Sequence, residues 1–143
     1  MKRLVILLVE DNKEDAFIIN EALEDQKFVE RFYHVFNGIE ALKFLKKEKP
    51  YEDSMTPDLI LMDINMPVMD GHEALIQVKK LDKFKHIPIL MLTTSSRKED
   101  ILKAYKEQSS SYIVKPDDIY ELDNLAEAIK TYWNKTVKLR DNE

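Results

Sequence analysis

The sequence contains no cysteine, which excludes disulfide bonds, zinc thiolate sites and thiol catalysis. No apolar run approaches the roughly 20 residues that cross a bilayer. An excess of positive charge is also lacking: 22 Lys and Arg against 27 Asp and Glu give a net charge of −5, which argues against non-specific nucleic-acid binding. The apolar start is short and runs into acidic residues without a small-residue cleavage site, so it indicates a strand rather than a signal peptide. A cytoplasmic protein without membrane or nucleic-acid partners is therefore expected.

The length and overall composition are those of one globular domain. The chain has 143 residues, 44% hydrophobic and 34% charged, which suits a single domain with a sizeable core. We expect this domain to cover residues 1–135, followed by a polar tail at 136–143 that has no apolar stripe.

Apolar runs and helical patterns alternate five times along the chain, which predicts an α/β fold of the (βα)5 type. Four of the runs are continuously apolar, as in strands buried on both faces of a parallel sheet. The second run, RFYHVF, alternates and is the candidate edge strand. The predicted strands lie near residues 4–9, 31–36, 58–63, 88–93 and 111–114.

Helix starts are marked by a capping residue three positions before an acidic residue. The pairs are Asn12 with Asp15, Asn37 with Glu40, Asp70 with Glu73, Ser96 with Glu99, and Asp118 with Glu121. Each pair follows a predicted strand at short distance. The last helix is expected to place Leu122, Leu125, Ala126, Ile129 and Trp133 on one stripe facing the sheet.

Polar side chains stand at the carboxyl ends of four predicted strands. Glu10 and Asp11 follow the first strand, Asp63 ends the third, Thr93 ends the fourth and Lys115 follows the fifth. Ligands of open α/β sheets bind where strands end, at a topological switch point, so these groups are expected to converge.

The three acids predict a divalent metal site. Carboxylates brought together repel unless a cation or a proton intervenes. Hard oxygen ligands without histidine or cysteine suit Mg2+. For Glu10 or Asp11 alone, a solvated turn residue or a helix cap is the simpler interpretation, whereas three acids at the ends of core strands favour the metal.

Asp63 is the candidate nucleophile, because a carboxylate can form an aspartyl phosphate. Asn65 could offer a backbone carbonyl to the metal, and the Thr93 hydroxyl and Lys115 ammonium could bind a phosphoryl oxygen. Thr93 and Tyr112 are equally well read as packing residues. His34, His72 and His86 lack metal or triad spacing, so surface or packing roles are expected for them.

At these residues the sequence resembles a response-regulator receiver domain. The motifs are the acidic pair ED after the first strand, MDINMPVMDG, ILMLTTS and YIVKP, and the resemblance covers about residues 3 to 134. The long loop before the third strand, the LTTS motif and the ending IKTYWNKTVKL resemble the small stand-alone receivers related to cyanobacterial phytochrome response regulators. The resemblance implies a flavodoxin-like doubly wound sheet with strand order 2-1-3-4-5.

The resemblance also implies a role for each site residue. Asp63 would be the phospho-acceptor, Thr93 and Lys115 would bind the phosphoryl group, and Tyr112 would be the switch aromatic that follows Thr93. The implied metal ligands are Glu10, Asp11, Asp63 and Asn65, with Mg2+ as the cofactor.

The expected function is therefore that of a single-domain response regulator in a two-component phosphorelay. It would accept a phosphoryl group on Asp63 from a sensor histidine kinase, with the phytochrome type as the candidate. It would be no enzyme beyond its own Mg2+-dependent phosphorylation and dephosphorylation. Output is expected through a surface, with a homodimer through the face of the fourth helix, fifth strand and fifth helix.

Two alternatives fit the sequence less well. An aspartate-nucleophile phosphatase of the haloacid dehalogenase type resembles D-x-D-x-[TV] after a strand, but Asn65 stands where the second acid would be. A flavodoxin-like cofactor binder needs a hydroxyl- and glycine-rich loop after the first strand. This chain has Glu10, Asp11, Glu14 and Asp15 there, which would repel a phosphate.

Overall fold

A computed structural model describes residues 3–64, 66, 69–93, 111–114 and 125–131. Its strands are β1 (Leu4–Val9), β2 (Val29–Val35), β3 (Leu59–Asp63), β4 (Ile89–Thr93) and β5 (Ser111–Val114). Its helices are α1 (Lys13–Leu23), α2 (Gly38–Leu45) and α3 (Gly71–Lys79), and residues 125–131 are also helical.

The five strands form one parallel sheet in the order β2-β1-β3-β4-β5. This confirms the predicted fold class and strand order, with β2 at an edge. The prediction for β2 was wrong at its ends, because the strand begins at Val29 rather than near residue 31 and ends at Val35. A register shift between Leu4 and Val5 lets Val29 pair with Leu4, so the ladder starts earlier than the alternation of side chains indicates.

A core packs on each face of the sheet. Leu7 and Val9 of β1 point to the face covered by α2 and α3. Leu4, Ile6 and Leu8 point to the other face, which α1 and the 125–131 helix cover. Because β1 is buried on both faces, each of its positions must be apolar, which is why its sequence does not alternate.

Three of the predicted helix starts are confirmed. The side chains of Asn12, Asn37 and Asp70 each accept a hydrogen bond from the backbone amide three residues later. The pairs at Ser96 and Asp118 lie outside the described residues. In the last helix Leu125, Ala126 and Ile129 are buried as predicted, whereas Leu122 and Trp133 lie outside the described part.

The long connection between α2 and β3 is held by aromatic side chains. The rings of Tyr33, Phe44 and Tyr51 pack in a row with centroids 4.9 and 5.4 Å apart. The Tyr51 hydroxyl donates to Glu40, and burial, this hydrogen bond and the charge of Glu40 raise the pKa of Tyr51 to about 12. The loop is thus tied to α2 and β2, away from the carboxyl ends of the strands.

None of the helices in the described residues has the length and apolar character needed to cross a membrane.

Candidate phosphoryl-acceptor and metal site

Three carboxylates meet at the carboxyl ends of β1 and β3. One carboxylate oxygen from each of Glu10, Asp11 and Asp63 lies within 4.8 Å of the others. Glu10 is fully buried and Asp63 is 3% exposed, whereas Asp11 faces solvent. The register explains the meeting, because Val9 pairs with Met62 and the next residues on the two strands are Glu10 and Asp63.

The backbone around Glu10 fixes the acidic pair. The Glu10 amide donates to the carbonyl of Val35 at 3.0 Å, which extends the contact of β1 with β2. The Glu10 carboxylate accepts from the amide of Asn12 at 3.2 Å, and Asn12 caps α1. Asp11 is therefore held between the end of β1 and the start of α1.

Gly71 determines how closely α3 approaches the acceptor strand. Its amide donates to the carbonyl of Ile64 at 2.8 Å. A Cβ atom at Gly71 would lie 2.2 Å from the carbonyl oxygen of Asp63 and 2.8 Å from the Cα of Ile64. The glycine has no positive φ, so the requirement is close approach rather than backbone conformation.

The other predicted site residues are described only in part. The backbone places Thr93 at the end of β4, in register with Val114, and Tyr112 on β5 opposite Met91. Asp63 pairs with Leu92, so Thr93 stands one residue beyond the level of the acceptor. Asn65 and Lys115 lie outside the described residues, and the sequence places Lys115 directly after Val114.

The cluster has the chemistry of a divalent cation site. Two full charges 4.8 Å apart repel by about 3 kcal/mol at an effective dielectric constant of about 20. Folding that buries both Glu10 and Asp63 therefore benefits from a cation between them. All three donors are carboxylate oxygens, and the exposed Asp11 leaves the site open to water and a phosphoryl group.

His34 is a site neighbour that its sequence spacing did not reveal. Its Nε2 lies 2.8 Å from the carbonyl oxygen of Glu10, so the ring nitrogen donates to the end of β1. Only the sheet register indicates this contact, because His34 pairs with Leu8 and therefore lies two residues from Glu10 on the neighbouring strand. His72 is 5% exposed, in agreement with the packing role expected for it, and His86 is a surface residue after α3.

Comparison with known proteins assigns the family. Residues 6–130 match the response regulator receiver domain family. The response regulator Rcp1 of Synechocystis is 35% identical over 135 residues, 94% of this chain and 92% of Rcp1. The chain therefore belongs to the response-regulator receiver family.

Solved structures agree with this assignment. The phosphorylated cyanobacterial phytochrome response regulator RcpA is 36% identical with a TM-score of 0.84, over 94% of this chain and 96% of that one. The Mn(2+)-bound form of Rcp1 is 34% identical with a TM-score of 0.79, over 91% of this chain and 94% of that one. The protein is a two-component phosphorelay regulator and not a classical enzyme, and nothing in the comparisons supports the haloacid dehalogenase alternative.

Proposed function

We propose that Asp63 accepts a phosphoryl group from a sensor histidine kinase while Mg2+ is bound beside it. The proposed metal ligands are Glu10, Asp11, Asp63 and the backbone carbonyl of Asn65. The observation that carries the proposal is the pairing of two buried carboxylates with one exposed carboxylate at the ends of β1 and β3. A buried pair without further chemistry would only cost stability, whereas an open third ligand suits a site that recruits phosphate oxygens.

In the proposed reaction an Asp63 carboxylate oxygen attacks phosphorus. The new oxygen–phosphorus bond forms as the bond from phosphorus to the kinase imidazole breaks, and the imidazole leaves with a proton from water. A bound Mg2+ supplies positive charge for the phosphoryl oxygens. Lys115 and Thr93 bind two further oxygens, by charge and by a hydroxyl hydrogen bond. Water attack on the same phosphorus breaks its bond to the Asp63 oxygen, which releases inorganic phosphate and restores the free carboxylate.

The direct test is uptake of a phosphoryl group from a small donor. Incubated with acetyl phosphate and Mg2+, the chain should gain one phosphoryl group that is stable in acid and labile in base, and a chelator should prevent the gain. Lys115→Ala should retain metal binding but lose most of the conformational response. A chain that stays unlabelled under these conditions contradicts the proposed function.

The kinase partner is proposed to be of the phytochrome type. The structural neighbours named above are a phosphorylated cyanobacterial phytochrome response regulator and Rcp1. For this chain the phytochrome-type kinase is part of the proposal. We also propose that the kinase and this chain meet in the cytoplasm. Phosphotransfer from purified photosensory kinases, compared with kinases that lack a photosensory module, would decide it.

Magnesium should stabilise the fold, because a ligand that binds only the native state shifts unfolding by mass action. At ten times its dissociation constant the gain is about 1.4 kcal/mol, which raises the melting temperature of a domain of this size by about 3–6 °C. Asp11→Ala should remove most of this rise. The matched control is Asp25→Ala, an exposed acid in the turn between α1 and β2, which should keep it.

A melting temperature that does not respond to millimolar Mg2+ in the unmodified chain would overturn the metal site. Equal loss of the response in Asp11→Ala and Asp25→Ala would point instead to a general effect of net charge.

Output is proposed to pass through the face of the fourth helix, β5 and the fifth helix, with Thr93 and Tyr112 connecting it to the phosphoryl site. Phosphorylation would tighten a homodimer on this face by shifting a population between two conformers. The sequence after Lys130 adds Tyr132, Trp133 and Val137, which we propose contribute to this face. Aromatic residues are enriched in interface cores.

Sedimentation with and without beryllofluoride and Mg2+ tests this homodimer. At a fixed protein concentration the mass should increase only when both are added, and this increase should be lost when the chain is truncated after Lys130. Identical sedimentation of all samples would leave this face to a different protein partner.

A further inference from the structure

The edge strand β2 presents an unpaired row of backbone groups. Val35 directs its carbonyl to the amide of Glu10 on β1, so Arg31, Tyr33 and Val35 bond inwards. Alternate residues of a strand point their amide and carbonyl to opposite sides, and the outward-pointing residues are therefore Glu30, Phe32 and His34. No hydrogen bond among the described residues uses the backbone groups of these three.

Exposed aromatic side chains line the same edge. A groove of about 310 Å³ lies between α1 and β2. Its lining residues are Lys13, Ala16, Phe17, Asn20, Phe32, His34 and Phe36. Phe17 is 64% exposed and Phe36 is 46% exposed, and they are the two largest exposures among the apolar side chains of the described residues. A strand added beside β2 would cover the open side of this groove.

We infer that β2 pairs with β2 of a second copy of this chain, antiparallel and in register about Phe32. Phe32 is the middle residue of the seven in Val29–Val35 and its backbone points outwards. A two-fold axis at Phe32 therefore pairs all seven residues of both strands. It also sets the outward-pointing residues Glu30, Phe32 and His34 opposite His34, Phe32 and Glu30 of the second copy, where they form the hydrogen-bonded pairs of an antiparallel ladder. The two sheets then form one ten-stranded sheet.

The side chains of β2 are complementary to themselves in this register. Arg31 lies opposite Tyr33 of the second copy, a cation–π pair of the kind that Arg31 already makes with its own Tyr33 at 5.8 Å. Glu30 lies opposite His34, and Val29 opposite Val35. The alternative axis at residue 31 would set Arg31 against Arg31, and like charges directly opposite each other destabilise a sheet.

The pairing is independent of the proposed phosphoryl switch. β2 and β5 are the two opposite edges of the sheet, so a dimer through β2 leaves the face of the fourth helix, β5 and the fifth helix free. The β2 pairing should persist without Mg2+ or a phosphoryl donor, and in the chain truncated after Lys130.

Hydrogen exchange of the unmodified chain gives an edge-specific test. As protein concentration rises, the amides of Phe32 and His34 should become protected, whereas those of Tyr33 and Val35 should be protected at every concentration. Sedimentation equilibrium over the same range should show monomers passing to dimers. Exchange of Phe32 and His34 that does not depend on concentration overturns the proposal, and so does protection only on addition of an unrelated extended peptide.

A proline at the edge separates backbone pairing from side-chain contact. Glu30→Pro removes an outward amide that bonds to nothing within the described chain, and proline is tolerated on edge strands for that reason. It deletes two ladder hydrogen bonds per dimer and should raise the dimer dissociation constant about 30-fold. The control Glu30→Ala loses the same carboxylate and its 3.0 Å ion pair with Arg3 but keeps the amide, so it should change the constant by less than about fivefold. Equal dissociation constants for the two variants would show that the copies meet elsewhere.

Discussion

Asp63→Asn should take up no phosphoryl group from acetyl phosphate and Mg2+, while the unmodified chain takes up one. The amide replaces the carboxylate at nearly the same size but is neither anionic nor nucleophilic, so no aspartyl phosphate can form. The same change removes one of two buried charges that lie within 4.8 Å of each other. It should therefore raise the melting temperature measured in a chelator and shrink the rise that Mg2+ produces.

Asp70→Asn is the matched control for this substitution. It makes the same chemical change seven residues away, and Asp70 accepts from the amide of Glu73 at 2.9 Å as the cap of α3. Asparagine caps a helix about as well as aspartate, so labelling and stability should be close to those of the unmodified chain. Label that persists in Asp63→Asn would show that another residue is the acceptor.

Gly71→Ala should impair both folding and phosphorylation. The added methyl would lie 2.2 Å from the carbonyl oxygen of Asp63, and the hydrogen bond from the Gly71 amide to the Ile64 carbonyl holds the start of α3 against this backbone. Overpacking of this kind costs about 1–3 kcal/mol, occasionally more, in the free energy of unfolding. The displaced backbone carries the acceptor Asp63. The rate of labelling should therefore fall even when it is corrected for the small fraction of unfolded chain.

Gly38→Ala is the control, since its Cβ would meet the Sδ of Met69 at 2.9 Å and the Cβ of Ala74 at 3.0 Å. The methionine side chain can rotate away, and the Ala74 contact needs a shift of only a few tenths of an ångström, whereas the methyl at Gly71 meets backbone atoms. Alanine also favours the helix that Gly38 begins, so this variant should lose less free energy of unfolding than Gly71→Ala. Denaturant titration gives the free energy of unfolding, and labelling rates are compared at temperatures where both variants are folded. Equal labelling rates for both variants would show that Gly71 has no role in positioning Asp63.

Local sequence patterns were sufficient for the order of elements. The uninterrupted apolar run of β1 reflects burial on both faces, and the alternation in RFYHVF reflects the edge position of β2. The first amides of a helix have no acceptor within the helix. The side chains of Asn12, Asn37 and Asp70 each supply one to the amide three residues later, so these caps could be predicted locally. Such features depend on neighbours along the sequence, so they can be predicted without the tertiary structure.

The acidic cluster could also be predicted from the sequence, because parallel strands bring their carboxyl ends to one edge of the sheet. Its particular geometry was not. Register alone decides that Glu10 is level with Asp63, and packing alone leaves Asp11 in solvent while burying the other two carboxylates.

By itself the sequence determined the α/β fold, the five strands and the three carboxylates of the acidic cluster, since propensity, capping and apolar periodicity are properties of short segments. Only the tertiary structure decided the start of β2 at Val29, the contact of His34 with the Glu10 carbonyl and the close approach of Gly71 to Asp63. These three join residues that are distant along the chain. They depend on strand register and on backbone separations of a few ångströms, which no local pattern of side chains encodes.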